Sequence, residues 1–568
     1  MRVVIDRDVR VPMRDGVVLR ADLYRPDTPR ALPALLQRTP YDKSTSAGGR
    51  SLDWSRLVAA GYALVVQDVR GRHASEGTFR PFADEGRDGR DTVDWLARQP
   101  WCDGAVGMLG RSYEGAAQWH AAAAGPPALR AIAPHVAAAD PYDGWTYLGG
   151  AFQLGFCLHW VLADLLHGQV ERLGGSHADA RAVTRALDGI DGLYRRPWRV
   201  LPLLDRLAPY YRAWLEHPDP GAYWQRITAV PDAGRPPALV IGGWYDIFLP
   251  GTLRPPAPRS EDRLVIGPWS HCVTGGIFPQ RRYGTAADEA QVDLTAVHLR
   301  HFDRHLKGLH PREDPAVRVF AGGTDHWLGT ADLPGGASEP VSLYLGSTGD
   351  ARTRHGTGVL DPEPARRPDA DVYRYDPRDP VPTGGGATLM TGMFVGADCG
   401  PLDQRPVEER PDVLCYTGPH LRELVTVTGP VEADLYVSSS APDTDFTAKL
   451  VDVFPDGRAE LLCDGIVRVG HRARLNGAGP PAPGTVHRLR IEVGTLVHVF
   501  RPGHRMRLEV SSSNFPRFDP NPNTGGTPLT LADAPVVTAV NRVHHGPDHP
   551  SRLVLPVSGD LSRAHGAA

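Results

Sequence analysis

Ser112 stands in the segment Gly110-Arg111-Ser112-Tyr113-Glu114-Gly115. A serine hydroxyl becomes a nucleophile where the chain exposes it and a base activates it. Residues 105–109 before it are apolar and short, as in a buried strand, and residues 116–122 after it have helical character. Strand, serine between glycines, then helix reads as a nucleophile elbow of the G-x-S-x-G type. Glycines are expected because the turn is sharp and side chains two positions either side of the serine would crowd it. Such a turn holds the Ser112 hydroxyl at the C-terminal end of its strand and aims the Tyr113 backbone N–H at the same point. Nucleophile and oxyanion donor then arrive together.

Serine needs a base, and the base needs an orienting acid. In the chain order that goes with this elbow, the acid precedes the histidine and both follow later strands. Asp246 ends Gly242-Gly243-Trp244-Tyr245-Asp246, just past the apolar run at 237–243. His271 ends Gly267-Pro268-Trp269-Ser270-His271, just past the run at 263–267. Both fall at the carboxyl edge of strands, where open α/β sheets bind ligands. A second oxyanion donor is expected on the loop after an early strand. Arg38-Thr39-Pro40-Tyr41-Asp42-Lys43 follows the run at 34–37, and the Tyr41 phenol O–H fits that role.

The elements that must carry these residues alternate in the first third. Residues 17–24 alternate like a half-exposed strand, while 34–37, 62–69 and 131–136 are short apolar runs, as in buried parallel strands. Residues 88–98 have helical spacing. Between about 141 and 232, Trp145, Tyr147, Phe152, Phe156, Trp160, Leu162, Leu165 and Leu166 fall at helical spacing, and no strand pattern is visible. From Val317 the chain is nearly all β, with strands such as 317–320, 431–438, 446–454 and 506–512. A length of 568 residues calls for more than one domain, and 41% apolar residues suffice for several cores. The formal net charge of −4, without long charged runs, argues against nucleic-acid and anionic-membrane partners. No stretch reaches the ~18–20 apolar residues of a membrane span. Six scattered cysteines without C-x-x-C spacing argue against zinc and against a disulfide scaffold. The expectation is a soluble, cytoplasmic chain.

These motifs resemble the CocE/NonD family, which contains bacterial cocaine esterase and is related to X-Pro dipeptidyl peptidases. The resemblance runs nearly end to end. It is carried by Val11-Pro12-Met13-Arg14-Asp15-Gly16, Arg38-Thr39-Pro40-Tyr41, Gln67-Asp68-Val69-Arg70-Gly71-Arg72, the serine motif and the Asp246 and His271 motifs. It continues in Ala441-Pro442-Asp443-Thr444-Asp445-Phe446, Phe500-Arg501-Pro502-Gly503-His504 and Ser513-Asn514-Phe515-Pro516-Arg517. It implies Ser112 as nucleophile, His271 as base, Asp246 as its orienter, and an oxyanion hole from Tyr41 O–H and Tyr113 N–H. It implies an α/β hydrolase fold in two parts, residues 1–140 and 233–312. A helical cap domain at 141–232 and a C-terminal β-sandwich jelly roll at 313–568, galactose-binding-like in type, complete it. Cys272 departs from the glycine that commonly follows the histidine, and His73 lies in a loop expected near the site, a surface role being favoured for it.

In the amine-selective branch of this superfamily, acidic residues follow the triad aspartate by two and three positions. Here Phe248 and Leu249 stand there, and an apolar pair penalises a buried ammonium. The expected substrate is an ester with an uncharged, hydrophobic or aromatic acyl group, in a pocket lined by Trp145, Trp160, Phe248, Leu389, Met393 and Phe394. The chemistry needs no cofactor and no metal. An amidase or peptidase of the X-Pro dipeptidyl peptidase or β-lactam acylase type, and an acyltransferase or cyclase using the same acyl-enzyme, stay open. So does a homodimer. A non-catalytic binder fits poorly with an intact serine, acid and histidine.

Overall fold

The computed structural model describes residues 2–45, 52–332, 340–367, 369–390, 399–477, 479, 481–526 and 535–558. Its first sheet has ten strands: β1 (Val3–Pro12), β2 (Val18–Pro26), β3 (Leu32–Thr39), β4 (Ala63–Asp68), β5 (Cys102–Arg111), β6 (Leu129–His135), β7 (Leu239–Tyr245), β8 (Arg263–Ser270), β9 (Val317–Ala321) and β10 (His326–Thr330). They lie in the order β1-β2-β4-β3-β5-β6-β7-β8-β9-β10. Strands β4 to β9 pair in parallel, while β1, β2 and β10 run antiparallel to their neighbours. The parallel strands carry short continuous apolar runs because helices cover both faces. One face buries Val93, Trp119 and Ile132. The other buries Leu35, Trp269 and Phe302.

The chain steps from β3 outward to β4 and then returns past β3 to β5. Strand order therefore reverses between β3 and β5, and a crevice opens at their carboxyl ends. The loop carrying Tyr41 leaves β3 and the turn carrying Ser112 leaves β5, so topology alone sets these two residues side by side. Helix α1 (Trp54–Ala59) follows the Tyr41 loop, α2 (Glu85–Leu96) lies between β4 and β5, and α3 (Tyr113–Ala123) leaves the serine turn. Helices α2 and α3 approach closely at Gly89, where a Cβ would lie 2.8 Å from that of Ala121.

Two expectations fail locally. The helical pattern expected from Trp145 onward begins at Leu154, in α4 (Leu154–Trp160). Tyr147–Leu148 and Ala151–Phe152 pair as a small antiparallel hairpin. Gly149 and Gly150 have φ of 55° and 85°, which break the helix, and a Cβ on Gly149 would lie 1.9 Å from the Ile466 carbonyl oxygen. After α4 the chain widens into a π-turn at Val161–Leu166, with His167 N–H donating to Leu162 O at 3.0 Å, and further helices run to Gln225. The second correction concerns Val317–Ala321. Read in sequence with the β-rich part, it is β9, parallel to β8 in the first sheet. Strand β2 is also more buried than its alternation suggests, because its polar Asp22 is buried against Arg7 and Lys43.

Among the described residues, the C-terminal part forms an eleven-stranded sheet. Its longest pairing runs antiparallel from Val425↔Phe500 to Val437↔His487 and buries Val427, Leu435, Ile491 and Phe500. Among the described residues no helix is long and apolar enough to cross a membrane. The junction with the hairpin is ionic. Arg468 donates to both carboxylate oxygens of Asp445 at 2.9 Å and to those of Asp519 at 3.1 Å. Asp519 in turn accepts from Phe152 N–H at 2.8 Å, and Arg468 N–H donates to Gly149 O at 2.9 Å. All three charged side chains are buried. Replacing Arg468 by Met strands two buried carboxylates, a loss of about 3–5 kcal/mol; thermal unfolding of Arg468→Met is expected to show a markedly lower midpoint than the parent.

Candidate functional site

Ser112 has φ 56° and ψ −125°, a conformation that a non-glycine residue adopts only when its surroundings impose it. Its N–H donates to His135 O on β6 at 2.9 Å, and its carbonyl accepts from Gly115 and Ala116 N–H at 2.9 and 3.0 Å. The turn corrects the motif as first read. Position +2 is Glu114, not glycine, and the second glycine is one residue later, so the pattern is G-x-S-x-x-G. Gly110, at φ 138°, leaves the space that Glu114 fills; a Cβ there would meet the Glu114 Cβ at 2.5 Å. Gly115 lets α3 approach β6, where a Cβ would meet that of Ala137 at 2.5 Å.

Asp246 is fully buried just after β7, and its Oδ1 lies 2.7 Å from His271 Nδ1. Its Oδ2 accepts from Phe248 N–H at 3.0 Å, so the loop itself holds the carboxylate in place. The Tyr41 hydroxyl accepts from the Trp160 indole N–H at 3.1 Å, and Ser112 is among the groups that act on its phenol. Burial first, and then the charge of Asp164, push the Tyr41 phenol far above its ordinary value, so it keeps its proton. Tyr113 offers its backbone N–H at the start of α3, where helical N–H groups lack intrahelical partners. Its phenol is occupied elsewhere, donating to Glu85 at 2.9 Å and accepting from Phe82 N–H at 2.9 Å.

An aromatic wall continues from these groups. The Phe248 ring meets His271 edge-on at 5.1 Å and stacks on Trp145 at 4.0 Å. Trp145 abuts Trp160 at 5.8 Å, and Leu389 packs on the same cluster. Met393 and Phe394 lie outside the described residues. Leu249 turns away from Phe248 and packs with Ile266 and Val497. It lines a cavity of about 460 Å³ with Tyr142, Trp244, Arg254 and Cys463, which includes none of Ser112, Tyr41 or His271. Among the described residues no group of three or more His, Cys, Asp or Glu could hold a metal ion.

Polar groups other than the expected catalytic residues hold the Tyr41 loop. Asp68 accepts from Lys43 N–H at 2.7 Å and Ala74 N–H at 3.1 Å. Arg72, fully buried, donates to Pro40 O at 2.9 Å and to Leu165 O at 2.7 Å, tying the loop to the π-turn next to Trp160. His73 Nε2 lies 3.1 Å from the same Pro40 oxygen, so it supports the loop. Asp68 lies in the apolar run at 62–69, and its polar type there is the available signal, whereas Arg72 stands among Arg70, Gly71 and His73 and carries no such local signal. Glu114 joins the two halves: Gln37 on β3 donates to its Oε1 at 2.9 Å, and Arg111 N–H to its Oε2 at 3.1 Å.

Burial raises the Glu114 carboxyl to about 7 from an ordinary 4.5. The fold thus binds this proton more tightly than the unfolded chain does. Its contribution to stability is complete below the unfolded value and is lost as pH rises through about 7. Glu114→Gln removes the titration while keeping the shape. Between pH 5 and pH 8 the variant is expected to lose less thermal stability than the parent; equal losses in parallel melts contradict this.

Residues 15–273 match the model of the X-Pro dipeptidyl-peptidase (S15 family), and residues 310–554 match that of the X-Pro dipeptidyl-peptidase C-terminal non-catalytic domain. The chain is 44% identical to the cocaine esterase of Rhodococcus sp. (strain MB1 Bresler), over 97% of this chain and 98% of that one. An aminopeptidase from a marine sediment archaeon, Thaumarchaeota archaeon, superposes with a TM-score of 0.79 at 25% identity, covering 98% of this chain and 97% of its own. An α-amino acid ester hydrolase gives 0.77 at 26%, with the same coverage. A CocE/NonD family hydrolase from Staphylococcus aureus shares the fold at 17% identity, with a TM-score of 0.70 over 98% and 94% of the two chains. With its α/β hydrolase fold and C-terminal β domain, the chain belongs to the CocE/NonD hydrolases of the S15 peptidase family and is a serine carboxylic ester hydrolase.

Proposed function

We propose that the chain hydrolyses esters with uncharged, hydrophobic or aromatic acyl groups by double displacement on Ser112. His271 Nε2 takes the Ser112 proton as Oγ attacks the ester carbonyl. Asp246, bonded to Nδ1, fixes the ring and stabilises the imidazolium that forms. The oxyanion is held by Tyr41 O–H and Tyr113 N–H. The tetrahedral centre collapses, the alcohol leaves with the proton from His271, and water repeats the cycle to free the acid and regenerate Ser112. In this reading the helices between Leu154 and Gln225 form a cap over the site, and the C-terminal domain is a jelly roll. None of the six cysteines is in a disulfide, which accords with a reducing cytoplasmic setting.

The observation that carries the substrate class is Phe248, fully buried, edge-on to His271 and stacked on Trp145. An ammonium placed against that face would lose its hydration, and the carboxylate of this loop, Asp246, is already committed to His271 and the Phe248 N–H. One feature favours a second reading, hydrolysis of α-amino esters or amides. The charge of Asp164 acts on the Tyr41 phenol, so a carboxylate lies within electrostatic range of the oxyanion side. The likeness to an aminopeptidase and an α-amino acid ester hydrolase points the same way.

A fluorophosphonate probe is expected to label the parent and not Ser112→Ala; labelling of the variant would falsify the nucleophile assignment. Tyr41→Phe removes one oxyanion donor, and kcat is expected to fall about 10²- to 10³-fold with little change in KM. Against paired p-nitrophenyl esters of phenylacetic acid and phenylglycine, with Xaa-Pro anilides alongside, kcat/KM should be highest for the phenylacetyl ester. Preference for the amine-bearing ester or the anilides, abolished in Asp164→Asn, would replace the first reading with the second.

A further inference from the structure

Acyl transfer at this site joins two loops that leave different strands. Ser112 follows β5 and His271 follows β8, with β6 and β7 between them. Asp246 and Phe248 fix the His271 ring, but neither belongs to the serine turn. The residue that spans the gap is Arg111, immediately before Ser112. One guanidinium nitrogen donates to the His271 carbonyl oxygen at 2.9 Å. The other terminal nitrogen pairs with Glu289 Oε2 at 3.3 Å. Glu289 is itself buried, and its backbone N–H donates to Thr274 O at 3.0 Å, inside the loop that follows His271. Its second oxygen lies 3.5 Å from Nε2 of His135, the residue whose carbonyl accepts the Ser112 N–H. Burial, then the Arg111 charge, lower His135, so its imidazole stays neutral and leaves Glu289 to the guanidinium.

We infer that Arg111 is a positioning residue that holds the His271 loop at its working distance from Ser112, with Glu289 as its anchor. A planar fork with two fixed terminal nitrogens can serve a carbonyl on one side and a carboxylate on the other. A point-charge ammonium can serve them only in part. The anchor matters because a carboxylate buried without its cation would pull the loop or draw in water. The contacts join residues 160 and 178 positions apart, so the base's backbone is referenced directly to the turn that carries the nucleophile. Displacement of a reacting group by about 1 Å can cost on the order of 10²-fold in rate. This proposal rests on the assignment of Ser112 and His271 as nucleophile and base.

The test compares Arg111→Met, Arg111→Lys, Glu289→Gln and Ser112→Ala with the parent, using p-nitrophenyl ester kinetics, fluorophosphonate labelling rates and thermal midpoints. Arg111→Met is expected to lower kcat about 10- to 100-fold with KM changed less than about threefold, and to slow labelling in parallel. Arg111→Lys should recover part of the rate, and Glu289→Gln should fall between the parent and Arg111→Met. A purely structural role would lower the melting midpoint without this kcat–KM split and without rescue by Lys. Labelling and kcat of Arg111→Met within twofold of the parent would overturn the proposal. If that variant does not fold, parental rates in both Arg111→Lys and Glu289→Gln overturn it equally. Labelling that survives in Ser112→Ala would instead sink the underlying assignment, whereas a silent Ser112→Ala beside an unimpaired Arg111→Met sinks only the positioning role.

Discussion

The left-handed backbone of Ser112 is the constraint on which the site depends. A non-glycine residue at φ 56° and ψ −125° carries about 1–3 kcal/mol of strain. It persists because both sides of the turn are pinned. His135 on β6 takes the Ser112 N–H, the first turn of α3 takes its carbonyl, and Glu114 takes the Arg111 N–H. The two glycines serve two different contacts, Gly110 against the Glu114 side chain and Gly115 against Ala137. Strand β5 and helix α3 are thereby forced into one sharp angle that raises the hydroxyl.

Polar groups around this turn are buried, and burial decides their protonation. The Tyr41 phenol is driven upward and remains an O–H donor. Glu114 is raised toward neutrality, which lets a carboxyl sit between β3 and the serine turn without a formal ion pair. His135 and His120 are lowered and stay uncharged. Trp160, whose indole N–H meets the Tyr41 hydroxyl, is part of the apolar surroundings that desolvate the phenol. Packing and protonation are therefore coupled, since the burial that encloses Tyr41 beside Trp160 also keeps its phenol protonated.

The sheet's central features were readable because buried parallel strands are continuous apolar runs. Residues 34–37, 62–69, 131–136, 237–243 and 263–267 became β3, β4, β6, β7 and β8 with shifts of a few residues. The pattern of Val317–Ala321 marks a strand but not its sheet, because a local pattern carries no information about its partner. The stretch from Trp145 to Phe152 matched a helix by spacing, yet Gly149 and Gly150 turn it into a hairpin against the strand at Ile466. Phe248 and Leu249 looked equivalent on paper, but neighbouring residues on a turn face opposite ways, and only Phe248 reaches His271.

The sequence by itself determined which residues have the right chemistry: a serine between strand and helix, an aspartate and a histidine each following a buried strand, and a tyrosine after an early one. Local pattern suffices there, because strand ends and turns are encoded by nearby apolar and glycine residues. Only the tertiary structure decided how these residues meet. Reversal of strand order between β3 and β5 brings Tyr41 to Ser112, and the Arg111–Glu289 pair brings together segments 178 residues apart. Such contacts depend on where whole strands lie in the sheet, and no short window of sequence contains that information.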